Sequence, residues 1–583
     1  MKKLYLMLSM LFAFGTAANA VPAKKLQKVI TLANGAKVSV ELRGDEYLSW
    51  WEGADGTAYR ATADDAVFEA FDLEAQKPAA AARRAKTEQG RAARLARVNS
   101  SLNGADDKMR GLGGDHITYK GVKKGLVVLV DFKNKKFADG HDLEYYKQII
   151  NGKDFSDPTE GYVGSVRDYF LAQSNGQFEL DFDVVGPVTM SQSYGYYGRD
   201  SNYQKDENVY KMIQEACDGI KDQVNLADYD WDGDGEADQV FFLYAGLGQA
   251  SGGSASTIWP HESQLRYWPC GVLKYPTGKV NTYACANELQ PTAQGSSNYI
   301  SAGIGTICHE FSHCLGFADM YDTAGQNGYG MTVFDVMDQG SYNGNGFVPC
   351  NYTAFERIYA GWVEPIELES PATVKDMKSV SDYGRPFIMY NFKNTNEYFL
   401  MENRQNTGWD KELYGCNGLL IVHVNYVPSR WTNNSVNSSK EKIQCCTVVN
   451  ADGSREMSDY YSLQGDLYPY VVKGVTMNDA FTDESEPAAK LYNKNSDGTY
   501  YLGIPITDIK RSKGSISFNV CGGDDNNILD NTFKEIVDDI NGITVANKTR
   551  DNRVYSIDGR YLGTDASKLG KGIYVVGGKK IVK

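Results

Sequence analysis

Stretches of unbroken apolar residues and stretches of alternating apolar and polar residues succeed one another along the chain. Leu126 to Phe132 (LVVLVDF) is almost wholly apolar and predicts a buried strand. Residues 160–172 (EGYVGSVRDYFLA) and Ser301 to Phe317 carry helical spacing, and FELDFDVVGPVTM alternates as a strand does. Nearer the start, KVITLANGAKVSVEL sets two β-rich runs around Asn34-Gly35, a hairpin signal. Beyond about Pro365 the pattern becomes short strands: FIMYNF, EYFLMEN, GLLIVHVNY, DLYPYVV and SISFNV. Their spacing predicts a β-sandwich-like domain.

Two segments break the pattern. MKKLYLMLSMLFAFGTAANA has a basic start, an apolar middle and small residues at Ala18-Asn19-Ala20, which predicts a signal peptide cut after Ala20. Lys77 to Ser101 is rich in Ala and Arg and lacks aromatics, which predicts an exposed, partly helical linker. Its arginines Arg83, Arg84, Arg91, Arg94 and Arg97 offer sites to a trypsin-like protease. GGDDNN at 522–527 marks a further linker, and the last stretch from about Arg550 reads as a small unit of strands and turns.

The chain has 583 residues and a formal net charge of −14. That balance argues against a nucleic-acid partner, and no apolar run is long enough to span a membrane. Ten cysteines suit an oxidising compartment. Cys308 and Cys314 would lie about 9 Å apart along one helix, beyond disulfide reach.

The decisive segment is His309-Glu310-Phe311-Ser312-His313-Cys314-Leu315-Gly316-Phe317-Ala318-Asp319. Two His at i and i+4 share one helix face and can converge on one Zn²⁺. Glu310 projects beside the metal and is expected to act as general base and then as general acid. Gly316 can end the helix with a positive φ and return Asp319 as third ligand. A second constellation, Asp230, Asp232, Asp234, Glu236 and Asp238 around two glycines, resembles an oxygen-rich loop for Ca²⁺. Its twelfth position is Phe241, so it is not an EF-hand.

HExxHxxGxx followed by Asp resembles the metzincin zinc peptidases, and VFDVMD resembles their Met-turn with Met337 as the methionine. HEFSHCLGFADMYDT, the stretch around Trp259-Pro260-His261, SVRDYFLAQSNGQF, and EYFLMENRQ with GLLIVHV are similar to the M6 peptidases typified by immune inhibitor A. That resemblance covers about Gly125 to Val520. It implies an α/β (α+β) catalytic domain with a twisted sheet and an active-site helix, then the β-sandwich-like domain. Residues 21 to about 115, including RGDEYLSWWEGADG, resemble the family's prodomain. The GIY-V-GGKK end resembles type IX secretion sorting domains.

The organisation expected is therefore a signal peptide at 1–20, a prodomain at 21–116 with its linker at 77–101, and a catalytic domain at 117–365. A β-sandwich-like domain at 366–521, a linker at 522–549 and a sorting domain at 550–583 follow. The expected activity is that of a latent zinc endopeptidase, secreted or held at the outer surface, acting on protein or peptide substrates. Its partners would be an activating trypsin-like protease (or itself) and the secretion machinery. Tyr342 and His261 are further candidates for the cleft, each weighed against a packing role; His423 reads as structural. Asp106, Asp107 and Asp115 are candidates for a carboxylate that blocks the zinc. The competing readings are a surface binding protein on a peptidase scaffold and a zinc hydrolase of a non-protein amide.

Overall fold

The protein is described by a computed structural model. It covers residues 21–62, 65–102, 111–112, 117–200, 205–293, 296–324, 328–438, 443–455 and 462–533. It also gives the backbone of strands at Ala18–Asn19, Val554–Ser556, Tyr561–Gly563, Ile573–Val576 and Lys579–Val582.

The first unit is a meander of β1 (Gln27–Thr31), β2 (Lys37–Gly44), β3 (Ser49–Gly53), β4 (Ala58–Ala61) and β5 (Phe68–Ala70). The β1–β2 hairpin turns at Asn34-Gly35 with Gly35 at φ +82°, as its sequence predicts. Next comes α1 (Leu73–Leu102), and here the expectation of an exposed linker is overturned. The segment is one long helix with a buried stripe of Arg84, Thr87, Glu88, Arg91, Arg94 and Val98. Alanine and arginine are strong helix formers. The buried arginines are answered by carboxylates: Arg84 pairs with Asp45 and Arg94 with Asp238, both outside the helix, and Arg91 with Glu88 one turn back in α1. Of the five arginines read as protease sites, Arg97 is exposed and Arg84, Arg91 and Arg94 are buried.

The central unit is a mixed sheet. Its strands are β6 (Gly121–Asp131), β7 (Phe178–Thr189), β8 (Val240–Leu247), β9 (His261–Gln264), β10 (Thr282–Pro291) and β11 (Tyr299–Ser301). The order is β9-β10-β8-β6-β7, with β11 also on β10; β9 and β11 run antiparallel to β10 and the rest are parallel. Period-two alternation sorts β6 between two cores. Val127 and Leu129 face α2 (Leu143–Asn151), α3 (Val166–Gln173) and α5 (Gly305–Cys314). Leu126, Val128 and Val130 face α4 (Val209–Ile220) on the other side. Burial on both faces is why LVVLVDF shows almost no polar position. Helix α3 begins later than residue 160 because Ser165 and Asp168 form a capping box. Helix α5 begins later than Ser301 because that residue ends β11.

The third unit stacks two sheets. One holds β12 (Ile366–Glu367), β14 (Phe387–Tyr390), β15 (Glu397–Arg404), β16 (Gly418–Asn425) and β17 (Cys446–Val448). The other holds β13 (Ala372–Met377), β18 (Ile506–Ser512), β19 (Ser515–Val520) and β20 (Ile528–Leu529). Phe387, Met389, Phe399 and Ile421 share a core with Val374, Ile516 and Phe518 across the stack. Ile388, Leu400, Leu420 and Val422 point the other way, into the core that carries α5. The five-stranded sheet is thus buried on both faces, one against its partner sheet and one against the central unit.

All ten cysteines are free. Buried carboxylates prop the junction between units. Asp466 accepts from Tyr329 Oη at 2.7 Å and from Asn450 Nδ2 at 2.7 Å. Burial pushes its carboxyl up from 3.8 to about 7. A folded pKa above the unfolded one means the folded state binds more protons, so this contribution is lost as pH rises from about 4 to about 7. Every tenfold difference in proton affinity between the folded and unfolded chain is worth about 1.4 kcal/mol. Asp466→Asn is therefore expected to raise the melting temperature at pH 8 and leave it nearly unchanged at pH 4, as thermal scans at the two pH values will read.

Candidate active site

Helix α5 carries the site. His309 and His313 lie one turn apart on its face, and both are fully buried. The main chain then closes: Phe317 N–H bonds Ser312 O at 3.1 Å, and Gly316 takes φ +96°. This is a helix stop that a side chain at 316 would strain. The turn brings Asp319 Oδ1 to 3.2 Å from His309 Nε2 and 3.3 Å from His313 Nε2. The two Nε2 atoms are 3.2 Å apart.

The far side of each ring fixes its tautomer. His309 Nδ1 is 2.7 Å from Val336 O, and His313 Nδ1 is 2.8 Å from Phe317 O. A carbonyl only accepts, so both Nδ1 atoms are the protonated ones, and both Nε2 atoms are bare lone pairs. Two lone pairs and a carboxylate oxygen within 3.3 Å repel one another unless a cation joins them. A tetrahedral ion with bonds of about 2.0 Å separates its ligands by about 3.3 Å, so the three residues fit zinc. Val336 belongs to the turn read as the Met-turn; Met337 follows it, fully buried, and its carbonyl accepts Met320 N–H at 2.9 Å.

Glu310 is fully buried, with no partner for Oε2 among the described residues. Its Oε1 accepts the main-chain N–H of Val21 at 2.7 Å. Burial pushes its carboxyl well above the usual carboxylate value, against the Val21 N–H, and Asp319 and Glu262 add to the rise. Burial also lowers the His313 imidazole, with Asp319 opposing.

The other candidates divide. Tyr342 reaches the cleft and donates from Oη to Pro22 O at 2.8 Å. His261 does not: its Nδ1 is 2.7 Å from Trp259 O and its Nε2 2.9 Å from Tyr283 Oη. With both nitrogens occupied and 1 % exposure, His261 is a packing residue of β9 rather than a group for substrate. His423 pairs with Glu397 at 3.0 Å, as a structural residue would. In the acidic loop, Asp230, Asp232 and Asp238 offer oxygens within 4.8 Å of one another. Asp234 and Glu236 instead turn toward Arg97 and Arg266. Asp106, Asp107 and Asp115 lie outside the described residues.

Three contributors have no local signal. Asn434, beyond β16, accepts from Asp319 N–H at 2.6 Å and donates to Asp319 Oδ2. It thus orients Asp319, the expected third ligand, from the sandwich domain. Removing such a support typically costs about 10–100-fold in metal affinity. Asn434→Ala is expected to weaken zinc retention by that factor in a competition with a fluorescent chelator. The second is Arg91 of α1, which bonds Phe317 O at 2.9 Å and lies 3.5 Å from His313 Nδ1. The third is the segment from Val21 to Lys24. Trp259 Nε1 donates to Val21 O at 3.2 Å, and Lys24 N–H to Ala250 O at 3.1 Å. Just before it, Ala18–Asn19 pairs antiparallel with β9. Asp45, Glu46 and Glu88 are also buried on this side. Burial raises all three carboxyls, Glu88 to about 8, and nearby Asp319 adds to each rise.

Residues 120–363 match the family model described as Immune inhibitor A peptidase M6, catalytic domain. The chain is 26% identical over 324 residues to pre-pro-metalloprotease PrtV of Vibrio cholerae serotype O1 (strain ATCC 39315 / El Tor Inaba N16961), covering 46% of this chain and 34% of that protein. It is 25% identical over 322 residues to immune inhibitor A of Bacillus thuringiensis subsp. alesti, covering 47% of this chain and 45% of that one. The chain thus spans between a third and a half of the length of these relatives.

Proposed function

We propose, from the premise that residues 120–363 are an M6 peptidase catalytic domain, that the chain is a zinc-dependent endopeptidase made as a latent, exported zymogen. The observation that carries the reading is the convergence of two bare imidazole nitrogens and one carboxylate oxygen beside a buried glutamate. Zinc held by His309, His313 and Asp319 would supply Lewis acidity toward a peptide carbonyl and the attacking water. Glu310 does the proton work: it takes a proton from the water and returns it to the departing nitrogen. The place of that nitrogen is marked by Val21 N, 2.7 Å from Glu310 Oε1. Tyr342 Oη already donates to a main-chain carbonyl in the cleft and can do so for a substrate carbonyl. The free edge of β9 accepts an extended chain in antiparallel pairing, as it accepts Ala18–Asn19.

Latency follows from occupancy. Residues 21–24 lie where a substrate must lie, and α1 fastens to the end of α5 through Arg91 and Arg94. Calcium is the second ion proposed, held by Asp230, Asp232 and Asp238 as a support for the fold. Export would use the signal peptide at 1–20 and the sorting domain at 550–583.

The test is cleavage of an unfolded protein by the purified chain before and after limited trypsin treatment, with a chelator control and zinc content measured throughout. Activity that appears only after trypsin and disappears with chelator supports the whole reading. One equivalent of zinc with no cleavage in any sample overturns it in favour of a binding scaffold or a non-protein substrate.

A further inference from the structure

The peptide segment in the cleft does more than obstruct it. Its main chain is held at four successive points: Val21 N on Glu310, Val21 O on Trp259 Nε1, Pro22 O on Tyr342 Oη and Lys24 N on Ala250 O. None of these bonds uses a side chain of the segment, so any extended peptide can make them. The position that must do without an N–H is the second, and proline fills it. Upstream, the antiparallel pairing of Ala18–Asn19 with β9 gives the chain a single direction through the site.

The side chain of Val21 is another matter. It is fully buried in a cluster with Ala250, Trp259 and Tyr342 from the catalytic unit, and with Ala23 and Leu42 from the prosegment. The members of that cluster are apolar or aromatic, and Lys205, which lies over the Trp259 ring at 5.2 Å, is already paired with Asp200 at 3.1 Å, so a charged side chain buried there is disfavoured. Trp259 is fixed from behind, since its main-chain N–H bonds Asp206 Oδ2 at 3.0 Å. Ala250 leaves the room that Val21 fills.

We propose that the pocket around Val21 is the subsite for the residue that follows the severed bond, that it selects short aliphatic side chains, and that a chain beginning Val-Pro is held there as a cleavage product would be. The inference rests on the peptidase reading, because Glu310 must hand its proton to the departing nitrogen, and Val21 N occupies that place. The expected signal-peptide cut falls between Ala20 and Val21. The exported zymogen then begins with a free amine against Glu310, and its first residue is the enzyme's own subsite ligand. The substrate class this defines is unfolded or extended polypeptide cut before Ala, Val or Ile.

Two readouts on the full chain after limited trypsin treatment test this. In the first, the synthetic peptides Val-Pro-Ala-Lys and Asp-Pro-Ala-Lys are titrated calorimetrically; the first is expected to bind at least tenfold more tightly. In the second, the new N-termini released from an unfolded protein are sequenced; Ala, Val and Ile are expected to be enriched at least threefold over their abundance in the substrate. Equal binding of the two peptides, or cleavage with charged residues as frequent as aliphatic ones at the new N-termini, overturns the pocket and leaves the peptidase reading standing. Selective binding of the valine peptide by a zinc-loaded chain that cleaves nothing overturns the peptidase reading and leaves the selective pocket standing.

Discussion

Glu310→Gln is expected to lower turnover by about 10²–10⁴-fold, the range that a positioned general acid–base contributes. The same variant is expected to keep one equivalent of zinc. Glu310 lies beside the three converging groups, but the triangle is closed by Asp319 Oδ1, 3.2 Å from His309 Nε2 and 3.3 Å from His313 Nε2. Glutamine keeps an oxygen for the Val21 N–H, so the packing of residues 21–24 against the site is retained. Metal content by atomic emission and turnover after trypsin treatment read the two quantities separately. If zinc is lost together with activity, Glu310 is a ligand and the assignment of Asp319 falls.

The second large effect is one of stability. Arg404 lies on β15, fully buried, and clamps Asp410 with both arms of its guanidinium at 2.6 Å. It also donates to Glu402 Oε1 at 3.0 Å and to Phe334 O at 2.9 Å, immediately before the turn that carries Val336 and Met337. Removing one partner of a buried ion pair strands the other charge and costs about 3–5 kcal/mol. Arg404→Met is therefore expected to lower the melting temperature by roughly 10 °C. It is also expected to weaken zinc retention, because the turn whose carbonyl orients His309 loses its prop. Arg404→Lys is expected to recover little, since an ammonium cannot make the paired bonds. A lysine variant as stable as the native chain would refute the structural role given to the clamp.

What could be read in the sequence is what is local. His309, Glu310, His313, Gly316 and Asp319 fall within eleven residues, and helix geometry plus one positive-φ glycine is enough to gather them. The hairpin at Asn34-Gly35 is equally local. Asn434 meets Asp319 across 115 positions and Val21 meets Glu310 across 289, and no periodicity encodes such pairings. In the sequence His261 reads equally as a group for the cleft and as a packing residue; only the placement of Trp259 O and Tyr283 Oη shows that both its nitrogens are taken. Helix α1 is instructive in another way. Its composition suggested a solvated linker, yet Arg84, Glu88, Arg91 and Val98 recur at intervals of three, four and seven. That is the period of one helix face, a polar stripe buried because its charges are answered by Asp45 and Asp238.

Ten thiols and no cross-link carry a consequence for handling the protein. A disulfide works chiefly by shrinking the denatured ensemble, and this chain has none to do so. Eight of the ten sulfurs are buried, where burial raises their pKa and keeps them unreactive while the fold is intact. Once unfolded, all ten become available to one another, and air oxidation can then lock in pairings that no native contact calls for. Refolding from denaturant should accordingly succeed with a reductant present and fail without one, while the thermal midpoint of the native protein stays the same in both buffers.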